Sequence, residues 1–297
     1  MLAISIVAVL LSIIAGYLLK LHAVVPSDFG KKLLLVGFYV TVPALFLKNL
    51  TEVGLNSSSG LYLFILLLGT VLSWLAGWLI TKIFKVKDRK RIGSIVLASL
   101  IMNTGFVLPF AQSAFGGYGV ALVALGNIVV ATSTYSIGFI IAASYGNKTK
   151  AVKSVLLKPL TAPPFLAIIL ALVINIIDLD ISGIYPLLDF IGQPTGFINA
   201  LAVGSLIEIK RFKLNVFLPM IARYGVGLVF VVMLLNLASM PAIDKSILAA
   251  ILLSPLAFNS VTLSAIEGLD ADYNATALSV SLLIGAITVP LSFLLFA

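Results

Sequence analysis

The chain contains no cysteine, which excludes disulfides, thiolate metal sites and cysteine nucleophiles. Histidine is almost as scarce. The one copy, His22, falls between apolar runs, so neither a histidine metal cluster nor a serine–histidine dyad can form. No HExxH pattern and no pair of aspartates occurs within an apolar run. The chain is therefore read as not an enzyme, with no cofactor and no metal. Charge is the third scarcity. Asp, Glu, Lys and Arg make up 10% of the 297 residues, where a soluble domain carries about 25%. So few charges cannot cover a water-facing surface.

Hydrophobic residues fill the gap, at 61% of the chain. The expected fold class is an all-α polytopic membrane protein, with the lipid bilayer as its solvent. The net charge of +8 would suit nucleic acid. The basic residues, however, fall in short runs between apolar segments, as they do in cytoplasmic loops, so no nucleic-acid partner is expected. The first apolar run has no basic residues before it and no small-x-small site after it, so it reads as a first span and not as a cleaved signal.

A helix needs roughly 20 apolar residues to cross the hydrocarbon core, and about ten stretches qualify. Their limits are 2–19, 33–50, 61–84, 92–115, 118–145, 159–177, 187–207, 214–237, 243–266 and 273–296. Alternate loops then face opposite sides. One side collects Lys20, Lys31 and Lys32, the run KIFKVKDRKR (82–91), Lys148, Lys150, Lys153 and Lys158, and KRFK (210–213). The other holds Lys48 and Lys245 with Asp178, Asp180 and Asp189. The bias makes the first side cytoplasmic and puts both termini outside the cytoplasm. The acidic loop EGLDADY (267–273) also falls on the cytoplasmic side, but acids weigh little in that rule. The short loops suit a prokaryotic plasma (inner) membrane.

The basic segment 146–158 divides the chain into halves, 1–145 and 159–297, with five spans each. Because five is odd, the halves must be inverted repeats. Each carries landmarks in matching places. VPALF (42–46) and QPTGF (193–197) mark the second and seventh spans, and the fourth and ninth are both interrupted by polar residues and proline. Matched interruptions in inverted halves point to a secondary-transporter site.

The fourth span reads NTGFVLPF (103–110) and the ninth LSPLAFNSVTLSA (253–265). Pro109 and Pro255 lack an N–H and clash with the carbonyl one turn back, and Gly105 adds backbone freedom. Freed backbone groups in hydrocarbon are tolerated only where protein or a water-filled cavity surrounds them. Two broken helices would present half-helix N-termini, which favour an anion without any buried Lys or Arg. The expected substrate-binding residues are Asn103, Thr104, Gly105, Pro109, Ser254, Pro255, Asn259 and Ser260. The plainer alternative is a pair of proline kinks satisfied by Ser and Thr.

No carboxylate lies at either break, unlike what a cation/proton antiporter would need. Glu267, roughly two turns past Asn259, reads either as a solvated helix-end acid or as a coupling-ion ligand. Arg223 sits inside a span and reads either as a functional charge or as a side chain snorkelling to the KRFK end. Asn49, Asn127 and Gln193 are accessory polar residues, which either join helices or face the cavity.

These segments, in this order, resemble the auxin efflux carrier family. GYLLKLHAVVPSDFGKKLLLVGFYVTVPALFLKNL (16–50) is similar to its first loop and second span, and NTGFVLPF to its NTGF-x-G-x-P motif. PPFLAIILALVIN (163–175) is similar to its sixth span, and SPLAFNSVTLSAIEGLDADYNATALSVSLLIGAITVPL (254–291) to its PPAxN break and ending. The chain departs in lacking one residue, usually glycine, between Phe106 and Pro109, in having Ser254 for the motif's first proline, and in lacking a long central loop. The resemblance implies ten helices in inverted repeats, with crossing fourth and ninth helices. It implies secondary transport of small organic anions, often by export, with Asn103, Pro109, Pro255 and Asn259 at the site, and a homodimer.

The leading expectation is an efflux carrier for small organic anions such as carboxylates, working by alternating access. The coupling ion, Na+ or H+ or neither, stays open. The alternatives are an ion-coupled symporter of organic acids and a non-transporting ligand sensor.

Overall fold

The structure is a computed structural model that describes residues 2–53, 59–146, 161–207, 214–237 and 239–296. The named elements among them are all helical: α1 (Leu2–Leu21), α2 (Phe29–Val53), α3 (Ser59–Ile83), α4 (Arg89–Leu100), α5 (Thr104–Tyr145), α6 (Pro163–Ile176), α7 (Tyr185–Gly192), α8 (Thr195–Leu206), α9 (Leu214–Leu235), α10 (Ala242–Leu252), α11 (Phe258–Glu267) and α12 (Ala271–Phe296). Five of them, α2, α3, α5, α9 and α12, are long and apolar enough to cross a membrane, and Ile6–Leu21 and α6 are shorter apolar helices. The exposed and buried faces agree with that solvent. Phe64, Val229 and Ile287 are exposed, whereas Ser281, Ser292 and Asn274 are buried. The chain is a polytopic membrane protein.

Local chemistry sets the helix limits. Asp88 caps α4 by accepting the Lys90 N–H at 2.9 Å. Gly268, at φ 76°, closes α11 in the left-handed conformation that glycine adopts without steric cost. Gly116, at φ 58° and ψ −141°, divides α5 in two, at the boundary expected between 115 and 118. In α2 a widened π-turn, Gly37–Thr41, precedes Pro43, whose missing N–H leaves the helical ladder one bond short. The expected seventh span is likewise divided, into α7 and α8, at Gln193 and Pro194.

The chain forms two compact units, and each takes helices from both sequence halves. Met1–Ser59, Gly105–Ile128 and Leu160–Ile207 form the first. There α1 and α8 approach backbone to backbone. A side chain on Gly16 would meet the Leu201 carbonyl, and one on Gly204 would meet the Ile13 carbonyl. Small residues at such crossings are how membrane helices gain packing contacts. Gly192 of α7 lies against Leu45 of α2, and the Asn175 amide donates to the Leu50 carbonyl at 2.9 Å. Lys48 is held between Glu52 (2.7 Å) and Asp189 (3.3 Å).

Gly60–Thr104, Val129–Pro159 and Glu208–Ala297 form the second unit. Its core packs Val96, Leu97, Leu100 and Ile101 against Ile141, Ala142, Ala257, Leu263 and Leu269. The turn after α11 is pinned to α4. Arg91 pairs with Asp270 at 2.6 Å and stacks on the Tyr273 ring, and the Ser94 hydroxyl accepts the Asp270 N–H at 3.0 Å. Past Gly146, the basic segment 146–158 lies outside the described residues, as do Lys148, Lys150, Lys153, Lys158 and KRFK (210–213).

Gly204→Val should lower stability in detergent by more than about 2 kcal/mol, because the Ile13 carbonyl is backbone and cannot step aside. Gly60→Ala, at a helical position with open space around it, should be neutral or stabilising by about 0.5–1 kcal/mol. Thermal denaturation of the two variants checks both.

Candidate functional site

The two interruptions meet inside the second unit. After α4, Ile101 is extended (φ −84°, ψ 118°). Before α11, Ala257 is extended as well (φ −94°, ψ 150°). Between these points Met102 and Leu256 pair as one antiparallel bridge. The side chain of Asn103 completes the joint. Its backbone N–H donates to Ser254 Oγ (3.1 Å) and its Nδ2 to the Leu256 carbonyl (3.1 Å).

A broken helix in hydrocarbon must find other partners for its backbone groups. Here they come from three directions. From α9, Arg223 Nε donates to the Ser254 carbonyl (2.8 Å) and Nη2 to the Ile251 carbonyl (3.1 Å). From α12, the Thr288 hydroxyl donates to the Leu253 carbonyl (2.8 Å), and Ser281 Oγ accepts the Leu256 N–H (3.0 Å). From within the segment, Ser260 donates through N–H (3.0 Å) and hydroxyl (2.8 Å) to the Ala257 carbonyl. Ser254 Oγ is the hub. It donates to the Ile251 carbonyl (2.7 Å) and accepts from Asn103 N–H and from Arg223 Nη2 (2.9 Å), which uses the full capacity of a hydroxyl. Pro255 fits because position 285 is glycine. A Cβ there would lie 2.7 Å from the proline Cδ.

The expected site residues thus divide. Asn103, Thr104, Ser254, Pro255 and Ser260 are buried in the second unit. Asn259 belongs to the same unit and is exposed, on the first turn of α11. Gly105 is exposed and Pro109 is buried, both in the first unit and both inside α5, so they do not make the fourth-span break, which lies ahead of them at Ile101–Asn103; the Pro109 Cα lies beside Gly196. In that unit the exposed Gln193 accepts through its carbonyl from Gln112 Nε2 (3.2 Å). Asn49 is buried, donates to the Leu45 carbonyl (2.7 Å) and packs on Gly117. Asn127 is half-buried.

Two expectations change. Arg223 does not snorkel. It is fully buried, and its guanidinium grips the break, so the breaks do have a buried cation. The cause is geometric, since α9 presents position 223 to the carbonyl end of α10, where a fork of donors is needed. Glu267 is not a solvated helix-end acid. It is fully buried at the C-terminus of α11. The sequence reading also missed Gln112, Asn274, Ser281 and Thr288. Asn274 is fully buried and donates to Ser264 Oγ (2.8 Å) and the Ser260 carbonyl (3.3 Å). Only its being polar inside an apolar run could have flagged it.

Known proteins match nearly the whole chain. A family described as membrane transport protein matches residues 1–293, and it is the family whose motifs the sequence resembles. An uncharacterised transporter from Methanocaldococcus jannaschii is 25% identical over 285 residues, covering 92% of each chain.

Ser254→Ala should cost about 1–3 kcal/mol, because it strands the Asn103 N–H and removes an acceptor from Arg223. Asn259→Ala, at an exposed position, should change stability by less than about 0.5 kcal/mol. Melting temperatures of the two purified variants separate these outcomes.

Proposed function

We propose, because the chain belongs to the membrane transport protein family, that it is a secondary carrier of small organic anions working by alternating access. The substrate would be held at the paired breaks. The observation that carries this reading is the Met102–Leu256 bridge, two interrupted segments joined where a span would otherwise be continuous. A backbone opened and then re-satisfied at such cost in side chains is what a midplane substrate site requires.

In this reading about ten spans form inverted repeats 1–145 and 159–297, joined by the basic segment 146–158, and the fourth and ninth spans cross. Both termini face away from the cytoplasm of a plasma membrane. Asn103, Thr104, Ser254, Pro255, Asn259 and Ser260, all in the second unit, are assigned to the site, and Gly105 and Pro109 are left to the first unit. Asn103 spends its N–H and amide nitrogen on the opposite break, so its role is to hold the joint. Asn259 is exposed and is the amide assigned to the substrate. Asn49, Asn127 and Gln193 belong to the first unit and are assigned to its packing.

A second reading, coupling to H+ or Na+, rests on Glu267, a fully buried carboxyl in the unit that holds the breaks. In that case a proton or sodium gradient would accelerate uptake and Glu267→Gln would abolish the acceleration.

Purified protein in proteoliposomes, supplied with malate, malonate or indole-3-acetate, should give a saturable anion current. Asn259→Ala should raise the half-saturating concentration about tenfold, the size expected from losing one hydrogen bond to a charged ligand. Pro255→Ala should cut the rate at least as much. Parent rates in both variants would sink the site assignment. Binding without flux would favour a sensor.

A further inference from the structure

We propose that Arg223 makes the paired breaks selective for anions, by outweighing the negative end of α10 so that the joint as a whole carries net positive charge. This rests on the reading of the breaks as an anion site.

A broken helix exposes two ends of opposite partial charge, each about half an elementary charge. The two breaks together give carbonyl ends at Leu100 and Leu252 and amide ends at Thr104 and Phe258. Left alone, these four ends nearly cancel, and the joint would favour neither sign. Arg223 removes the symmetry. Its Nε and Nη2 sit on the Ser254 and Ile251 carbonyls, at the negative end of α10. It is fully buried, and among the described residues no carboxylate pairs with it. Its own helix, α9, contains no acid. Its charge is therefore neither screened by water nor neutralised by a partner.

The choice of arginine fits the task. A guanidinium reaches two carbonyls and a hydroxyl at once, which the compact lysine ammonium cannot do with fixed geometry. The third nitrogen, Nη1, is buried with no partner among the described residues, so the fork is not fully spent on the backbone. The ligand class that follows is a small carboxylate, bound more tightly than a neutral molecule of the same shape.

The test uses the full chain in nanodiscs and pairs each acid with its neutral amide: indole-3-acetate with indole-3-acetamide, malonate with malonamide. Binding is measured by calorimetry. The parent should bind the acids at least about tenfold more tightly than the amides, and Arg223→Gln should bring that ratio to within about threefold by weakening the acids alone. Arg223→Lys keeps the charge and should keep the preference. Ser254→Asp sets a carboxylate beside the intact guanidinium and should abolish the preference, which provides a readout if the glutamine variant does not fold. A preference that survives either neutralising change overturns the proposal. So does its loss in Arg223→Lys, which would make the guanidinium a scaffold and not a charge. A parent that binds amides as tightly as acids defeats the anion reading itself, a result visible before any variant is made.

Discussion

Everything at the joint depends on one constraint: a polar backbone group in hydrocarbon must have a partner. Ser254 Oγ shows how tightly that constraint is met. One hydroxyl ties the Asn103 N–H, the Ile251 carbonyl and the Arg223 guanidinium, so three elements share a single atom. Thr288 and Ser281 extend the same accounting from α12. A proline or glycine break would otherwise be a defect in a span. With these side chains around it, the break becomes a fixed polar feature inside an apolar protein.

Packing supplies the rest, and it is done with small residues. Gly16 and Gly204 let α1 and α8 touch through their backbones, and Gly285 gives the Pro255 ring its place. Neither compact unit matches a sequence half, since both draw on the two halves.

The sequence made the local features legible. Pro255 announces the ninth-span break because its effect acts within one turn, whereas Gly105 and Pro109 lie inside α5 and the fourth-span break falls ahead of them, at Ile101–Asn103. Gly116 falls between two apolar runs whose lengths required a turn there. What the sequence hid is long-range. Arg223 reaches a partner 31 residues on, and Asn103 reaches one 151 residues on. No local pattern encodes such pairs. The π-turn at Gly37–Thr41 was hidden for another reason, since proline signals a kink but not how the helix absorbs it. Exposure was equally out of reach: Asn103 and Asn259 look alike in their motifs, yet one is buried and the other is not.

The Ser254 hub also bears on how this chain diverges from its kin. The motif it resembles has proline at position 254, which offers neither hydroxyl nor N–H. A proline there would leave the Asn103 N–H without its acceptor and Arg223 Nη2 with one acceptor fewer. Because the N–H at 103 belongs to the backbone, the side-chain chemistry links positions 223 and 254 alone. The serine hydroxyl at 254 and the guanidinium at 223 are a matched pair, one supplying the third acceptor that the other's donors use.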